Sequence, residues 1–93
     1  MHIVLLTVSV SIPDSRSLKD KRRVIKSVKE RVMARMNVSA AEVGKHDQWQ
    51  YADLAFVTVS GDKIIAEKRM AELADQLRMD YRMVVMSVHT QIL

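Results

Sequence analysis

From Leu6 to Ile12 the chain alternates: Leu6, Val8, Val10 and Ile12 are apolar, and Thr7, Ser9 and Ser11 between them are polar. A period of two places successive side chains on opposite sides of a strand, so residues 3–12 predict a strand with one buried face. Pro13-Asp14-Ser15 ends it, because proline cannot donate to a sheet ladder. The period then changes. Leu18, Ile25, Val28, Val32 and Met36 recur at helical spacing and predict a helix to about Met36, with Asn37 ending it. Ser17 suits the N-cap, and Asp20 the capping-box position three residues on. Residues 38–43 predict a second strand, broken by Gly44. Residues 45–50 form a polar turn, and residues 51–60 predict a third strand closed by Gly61-Asp62. Ala66, Met70, Leu73 and Leu77 align one face of a second helix over 63–79. A last strand covers 82–92, with Val84, Met86, Val88 and Ile92 on one side and Val85, Ser87, His89 and Gln91 on the other.

The order β-α-β-β-α-β predicts an α+β fold, the ferredoxin-like βαββαβ sandwich. It has a four-stranded antiparallel sheet with two helices on one face. Residues 1–93 would form a single domain of this kind. The other sheet face is then open, or buried in an oligomer, and presents Val85 and His89. The last strand lies at a sheet edge, and an unprotected edge invites pairing, so a homo-oligomer is expected.

Charge sharpens this picture. Arg16, Lys19, Lys21, Arg22, Arg23, Lys26, Lys29, Arg31 and Arg35 are nine of the chain's fifteen Lys and Arg residues. From Asp14 to Arg35 only Asp14, Asp20 and Glu30 oppose them, a net charge of +6 for the segment. At roughly 100° per residue, Lys19, Arg22, Arg23, Lys26 and Lys29 fall on one arc beside the apolar stripe. With Arg16 they predict a surface for a polyanion, RNA or the ribosome, contacted through phosphates rather than base edges. The alternative is a solvated face that keeps a small protein in solution. The base-stacking aromatics of the usual RNA-recognition module are missing, since the first strand carries none.

The turn after Gly44 holds the chain's single Trp. His46, Asp47 and Trp49 form a second candidate, a partner-binding turn in which Trp49 docks into a protein or stacks on a base. The simpler expectation is that Trp49 folds back over the sheet edge and Asp47 only shapes the loop. A symmetric hairpin would set Glu42 opposite Asp53. Together with His46 and Asp47, that pair would suit a divalent metal in a small nuclease.

No other catalytic arrangement stands out. There is no cysteine, no HxH or HExxH spacing, no Gly-rich phosphate loop and no nucleophile elbow. No cofactor and no resident metal are expected, and the chain reads as non-catalytic. The apolar run Ile3–Val10 is far short of the ~20 residues a membrane span needs. With no secretory leader pattern at the N-terminus, the chain reads as soluble and cytoplasmic.

Ser17-Leu18-Lys19-Asp20-Lys21-Arg22, Asn37-Val38-Ser39, Ala41-Glu42-Val43-Gly44 and His46-Asp47-Gln48-Trp49-Gln50 together resemble the YlxP-like bacterial proteins, a domain family of unknown function. The resemblance covers nearly the whole chain and is most specific from Ile12 to Gly61. It departs from the family pattern modestly, with Asp20 where Glu is usual and Ala40 where Val is common. It implies the same ferredoxin-like fold. The family's genes often neighbour translation and ribosome-assembly factors, which implies a role near RNA.

Overall fold

The computed structural model describes residues 1–93. Its elements are β1 (His2–Ser11), α1 (Leu18–Arg35), β2 (Ser39–Gly44), β3 (Tyr51–Ser60), α2 (Lys63–Met79) and β4 (Val84–Ile92). The strands form one antiparallel sheet in the order β2-β3-β1-β4, the ferredoxin-like arrangement. β1 and β3 are central, and their long alternating patterns explain why. Each buries every second residue: Val4, Leu6, Val8 and Val10 from β1, and Ala52, Leu54, Phe56 and Thr58 from β3.

Both helices cover this face. α1 contributes Ile25, Val28 and Val32, and α2 contributes Ala66, Met70, Leu73, Ala74 and Leu77. Ser17 caps α1 by accepting from the Asp20 amide at 3.0 Å, and the Asp20 carboxylate accepts in turn from the Arg16 amide at 3.0 Å. The return bond thus reaches one residue further back than in the usual capping box. α1 closes at Met36, whose amide bonds to the Val32 carbonyl, rather than at Asn37. Asp62 caps α2 by accepting from Ile64 and Ile65.

Two bulges change what faces where. In β4 the pairing runs Ser9 with Ser87 but Val10 with Val85, so Met86 is an extra residue. Val85 therefore packs against the core with Val88, and Val84 turns to the open face. This corrects the expected placement of Val85, while His89 does lie on the open face opposite Thr7. The second bulge, at Val43, shifts β2 against β3. No helix is long and apolar enough to cross a membrane.

Candidate nucleic-acid interface

The helical period of α1 gives it three functional sides. Lys21, Ile25, Val28 and Val32 point into the protein. Arg31 lies on the flank toward α2, where its Nη2 donates to Asp80 Oδ2 at 2.8 Å. Beside it, Arg82 donates to Asp80 through its amide, Nε and Nη2, and to Ser27 Oγ through Nη1. The Arg82 hydrogen bonds, helped by Arg31 and opposed by burial, hold the Asp80 carboxyl at about 2. On the third side, a roughly 120° arc carries Lys29, Arg22, Lys26, Lys19 and Arg23, with Met33 and Glu30 among them.

This arc, with Arg16 just ahead of the helix, is the surface the charge pattern predicts. Arg16, Lys19, Arg22, Arg23 and Lys26 are exposed and Lys29 is half-buried. Lys26 approaches Glu30 at 3.9 Å, with both side chains well exposed. The other five have no carboxylate within ion-pairing distance, since every remaining ion pair in the protein involves other residues.

The charge pattern missed Lys21. It is 1% exposed, one of the largest fully buried side chains in the protein. Its Nζ donates to the carbonyls of Lys45 at 2.9 Å, His46 at 3.3 Å and Tyr51 at 3.2 Å. An ammonium has three protons, and all three are committed here. Glu42 Oε2 sits 2.9 Å from the same nitrogen, so this contact is an ion pair without a proton of its own. The signal was available in the spacing, because Lys21 precedes Ile25 by four residues and Val28 by seven, in the middle of the apolar stripe.

Lys21 thereby fastens the β2–β3 turn to α1. Gln50 adds a second tie, its Nε2 donating to the carbonyls of Pro13 and Ser15 at 3.1 and 3.2 Å, while its own carbonyl accepts from the Ile12 amide. Lys45 enters the turn with φ at +60°, a left-handed conformation that suits its carbonyl to Lys21 and its Nζ to Asp53. His46 and Asp47 are exposed, and His46 Nε2 lies 3.2 Å from the Glu42 carbonyl. Trp49 is 56% exposed, so more than half of its surface is open to solvent.

The carboxylate pair does not form. The bulge at Val43 sets Gly44, not Glu42, opposite Asp53. Glu42 turns toward the helices and Lys21, whereas Asp53 lies on the open sheet face. There Asp53 accepts from Ser9 Oγ at 2.7 Å and pairs with Lys45 Nζ at 3.2 Å. The Ser9 bond, with help from Lys45 and against some desolvation, lowers its pKa. No group of three or more His, Asp or Glu is placed to hold a metal ion. Of the aromatic side chains in the two central strands, Phe56 is buried under the helices. Tyr51 alone reaches the open face, at the strand end.

Residues 3–90 match the family described as "Protein of unknown function (DUF503)". The chain belongs to this family. The chain is also similar to the "Uncharacterized protein YlxP" of Bacillus subtilis (strain 168), 39% identical over 59 residues. That match covers 63% of this chain and 64% of the relative's own length. The fold is also that of a solved structure, "De novo designed protein Foldit4", with a TM-score of 0.56 over 98% of this chain and 97% of that one. At 16% identity the likeness concerns architecture alone. The DUF503 match fixes the family, and its description names no activity.

Proposed function

We propose that this DUF503 chain is a non-catalytic module that binds structured RNA, that of the ribosome included, by laying phosphates along the outer side of α1. One observation carries the reading. Lys19 and Arg22, Lys19 and Arg23, Arg22 and Lys26, Arg23 and Lys26, and Lys26 and Lys29 are like-charge neighbours three or four residues apart on one helix. Such pairs oppose helix formation by roughly 0.2–0.5 kcal/mol each. A helix needed only for solubility avoids this by mixing signs, as α2 does, where Lys63 pairs with Glu67 and Arg78 with Asp75. Retained repulsion on an exposed face is what a phosphate-binding surface requires, because each cation must stay free for its anion.

A charge reversal with two readouts tests this. Arg22→Glu/Arg23→Glu turns four of the five repulsive pairs into attractive ones and makes one new repulsive pair, between Asp20 and position 23. Stability in urea should rise by about 1 kcal/mol at low salt. Binding of a labelled RNA duplex, followed by anisotropy, should vanish. Wild-type binding should weaken with salt, with a log–log slope of about −4 for roughly five phosphates neutralised. Wild-type affinity indifferent to salt, or a double variant that binds as well as wild type, would remove the reading.

A further inference from the structure

The turn that carries Trp49 has no part in phosphate tracking along α1. We infer that Trp49 is a stacking platform for an unpaired nucleobase, so that the ligand is RNA with a single-stranded loop or bulge beside its paired stem. This rests on the polyanion reading above and goes further, because it names the kind of RNA.

Three observations converge on it. The first is rigidity. Lys21 holds the turn by three hydrogen bonds from inside the protein, and Gln50 holds it by two more. An aromatic ring mounted on such a support loses little freedom when a ligand arrives. The second is position. Trp49 adjoins Gln50, whose amide nitrogen lies 3.2 Å from the Ser15 carbonyl, and Ser15 adjoins Arg16. Bond lengths limit the separation of the Trp49 and Arg16 α-carbons to about 15 Å. A polyanion held at Arg16, the N-terminal end of the cationic surface, is therefore within about 15 Å of the backbone that carries the indole.

The third is the company the indole keeps. The cores of protein–protein interfaces are depleted of charge and gather several apolar groups. Trp49 instead lies in a run of exposed polar residues, His46, Asp47, Gln48 and Gln50, with Tyr51 the one other exposed aromatic of the hairpin. An exposed ring on a polar turn, in the neighbourhood of the free Arg16 guanidinium, is a combination that single-stranded nucleic-acid sites use. The ring stacks on any base, and the cations hold the backbone.

Trp49 is the only Trp in the chain, so its emission reports this site alone. Two RNAs of equal length serve as probes, a hairpin with a uridine loop and a fully paired duplex. The hairpin should quench the emission and the duplex should leave it nearly unchanged. Trp49→Ala should weaken hairpin binding about tenfold, with Trp49→Phe keeping most of the affinity. Duplex binding by both variants should stay within about twofold of wild type, since no phosphate contact is lost. Because Trp49 is exposed, both variants should fold, and circular dichroism checks this. Hairpin binding unchanged in Trp49→Ala, or weakened equally for both RNAs, would overturn the inference and leave the α1 reading standing. If wild type binds neither RNA, both fall together.

Discussion

Replacing Lys21 by Met keeps the apolar stem of the side chain and deletes its charge, so the loss measures the ammonium itself. Four groups are then abandoned: the carbonyls of Lys45, His46 and Tyr51, and the Glu42 carboxylate. Removing one partner of a buried ion pair costs about 3–5 kcal/mol. The Glu42 side chain retains 15% exposure and recovers some hydration, which places the expected loss near the lower end, about 3 kcal/mol. A chain of this length is stable by about 5–14 kcal/mol, so the substitution takes a large share. It should lower Tm by roughly 12–24 °C. Urea unfolding followed by circular dichroism gives the size, and Trp49 emission tells whether the turn opens ahead of the rest. Lys21→Met/Glu42→Gln removes the stranded charge and leaves the three carbonyls, so it should win back about half of the loss. A single-variant loss below about 1 kcal/mol would refute the staple. So would a double variant no more stable than the single one.

Asp80 makes folding sensitive to acid. Its carboxyl titrates at about 2 in the folded protein against 3.8 in the unfolded chain, so the unfolded state takes up the proton first. The resulting stability, about 2 kcal/mol, is complete above roughly pH 5 and drains away as pH falls from about 4 to 2. Asp80→Asn should flatten that limb of a pH series of urea midpoints, and a wild-type midpoint constant down to about pH 2 would contradict it. The two glycines should behave oppositely. A Cβ on Gly44 would lie 2.7 Å from Asp53 Oδ2, an oxygen whose carboxylate is already held by Ser9 and Lys45, so Gly44→Ala should cost about 1–2 kcal/mol. Gly61 has nothing within 4 Å, and Gly61→Ala should stay within ~0.5 kcal/mol of wild type. Equal urea midpoints for the two variants would contradict the contact.

The order of elements was legible because the hydrophobic period switches cleanly between two and 3.6 at Pro13, Asn37 and Gly61, while Gly44 breaks the run between two strands. Those breaks lie within a few residues of the observed boundaries. What stayed hidden was the phase of two strands. Val84-Val85-Met86 offers three apolar residues in a row, so alternation cannot say which of them faces the core. The pairing of Val10 with Val85 decides it, and that is a long-range fact. The hairpin misled for a similar reason. A symmetric closure puts Glu42 against Asp53, whereas the bulge at Val43 and the left-handed Lys45 displace the register by one and send the two carboxylates to opposite faces. A one-residue slip was enough to create a metal site on paper and remove it in space.

The basic segment shows where a charge count succeeds and where it fails. Counted along the chain, Asp14–Arg35 holds nine cations, but the fold spends them differently. Lys21 is consumed inside the protein and Arg31 against Asp80, neither available to a ligand. The sequence-based set of Arg16, Lys19, Arg22, Arg23, Lys26 and Lys29 omits both; the five on the helix share one arc with Glu30 as the acid within it, and Arg16 lies just ahead of the helix. Lys21 escaped notice as a structural residue because a buried Lys is rare and it sits in a run rich in surface cations, Lys19, Arg22 and Arg23. Yet its burial gives the surface its shape. Were Lys21 turned outward, it would add one charge to an already cationic arc and release the turn. Turned inward, it fixes the turn that carries Trp49 against the start of α1. The helix that would set the line of the phosphates therefore also sets the place of the ring, and a single side chain in its first turn couples the two.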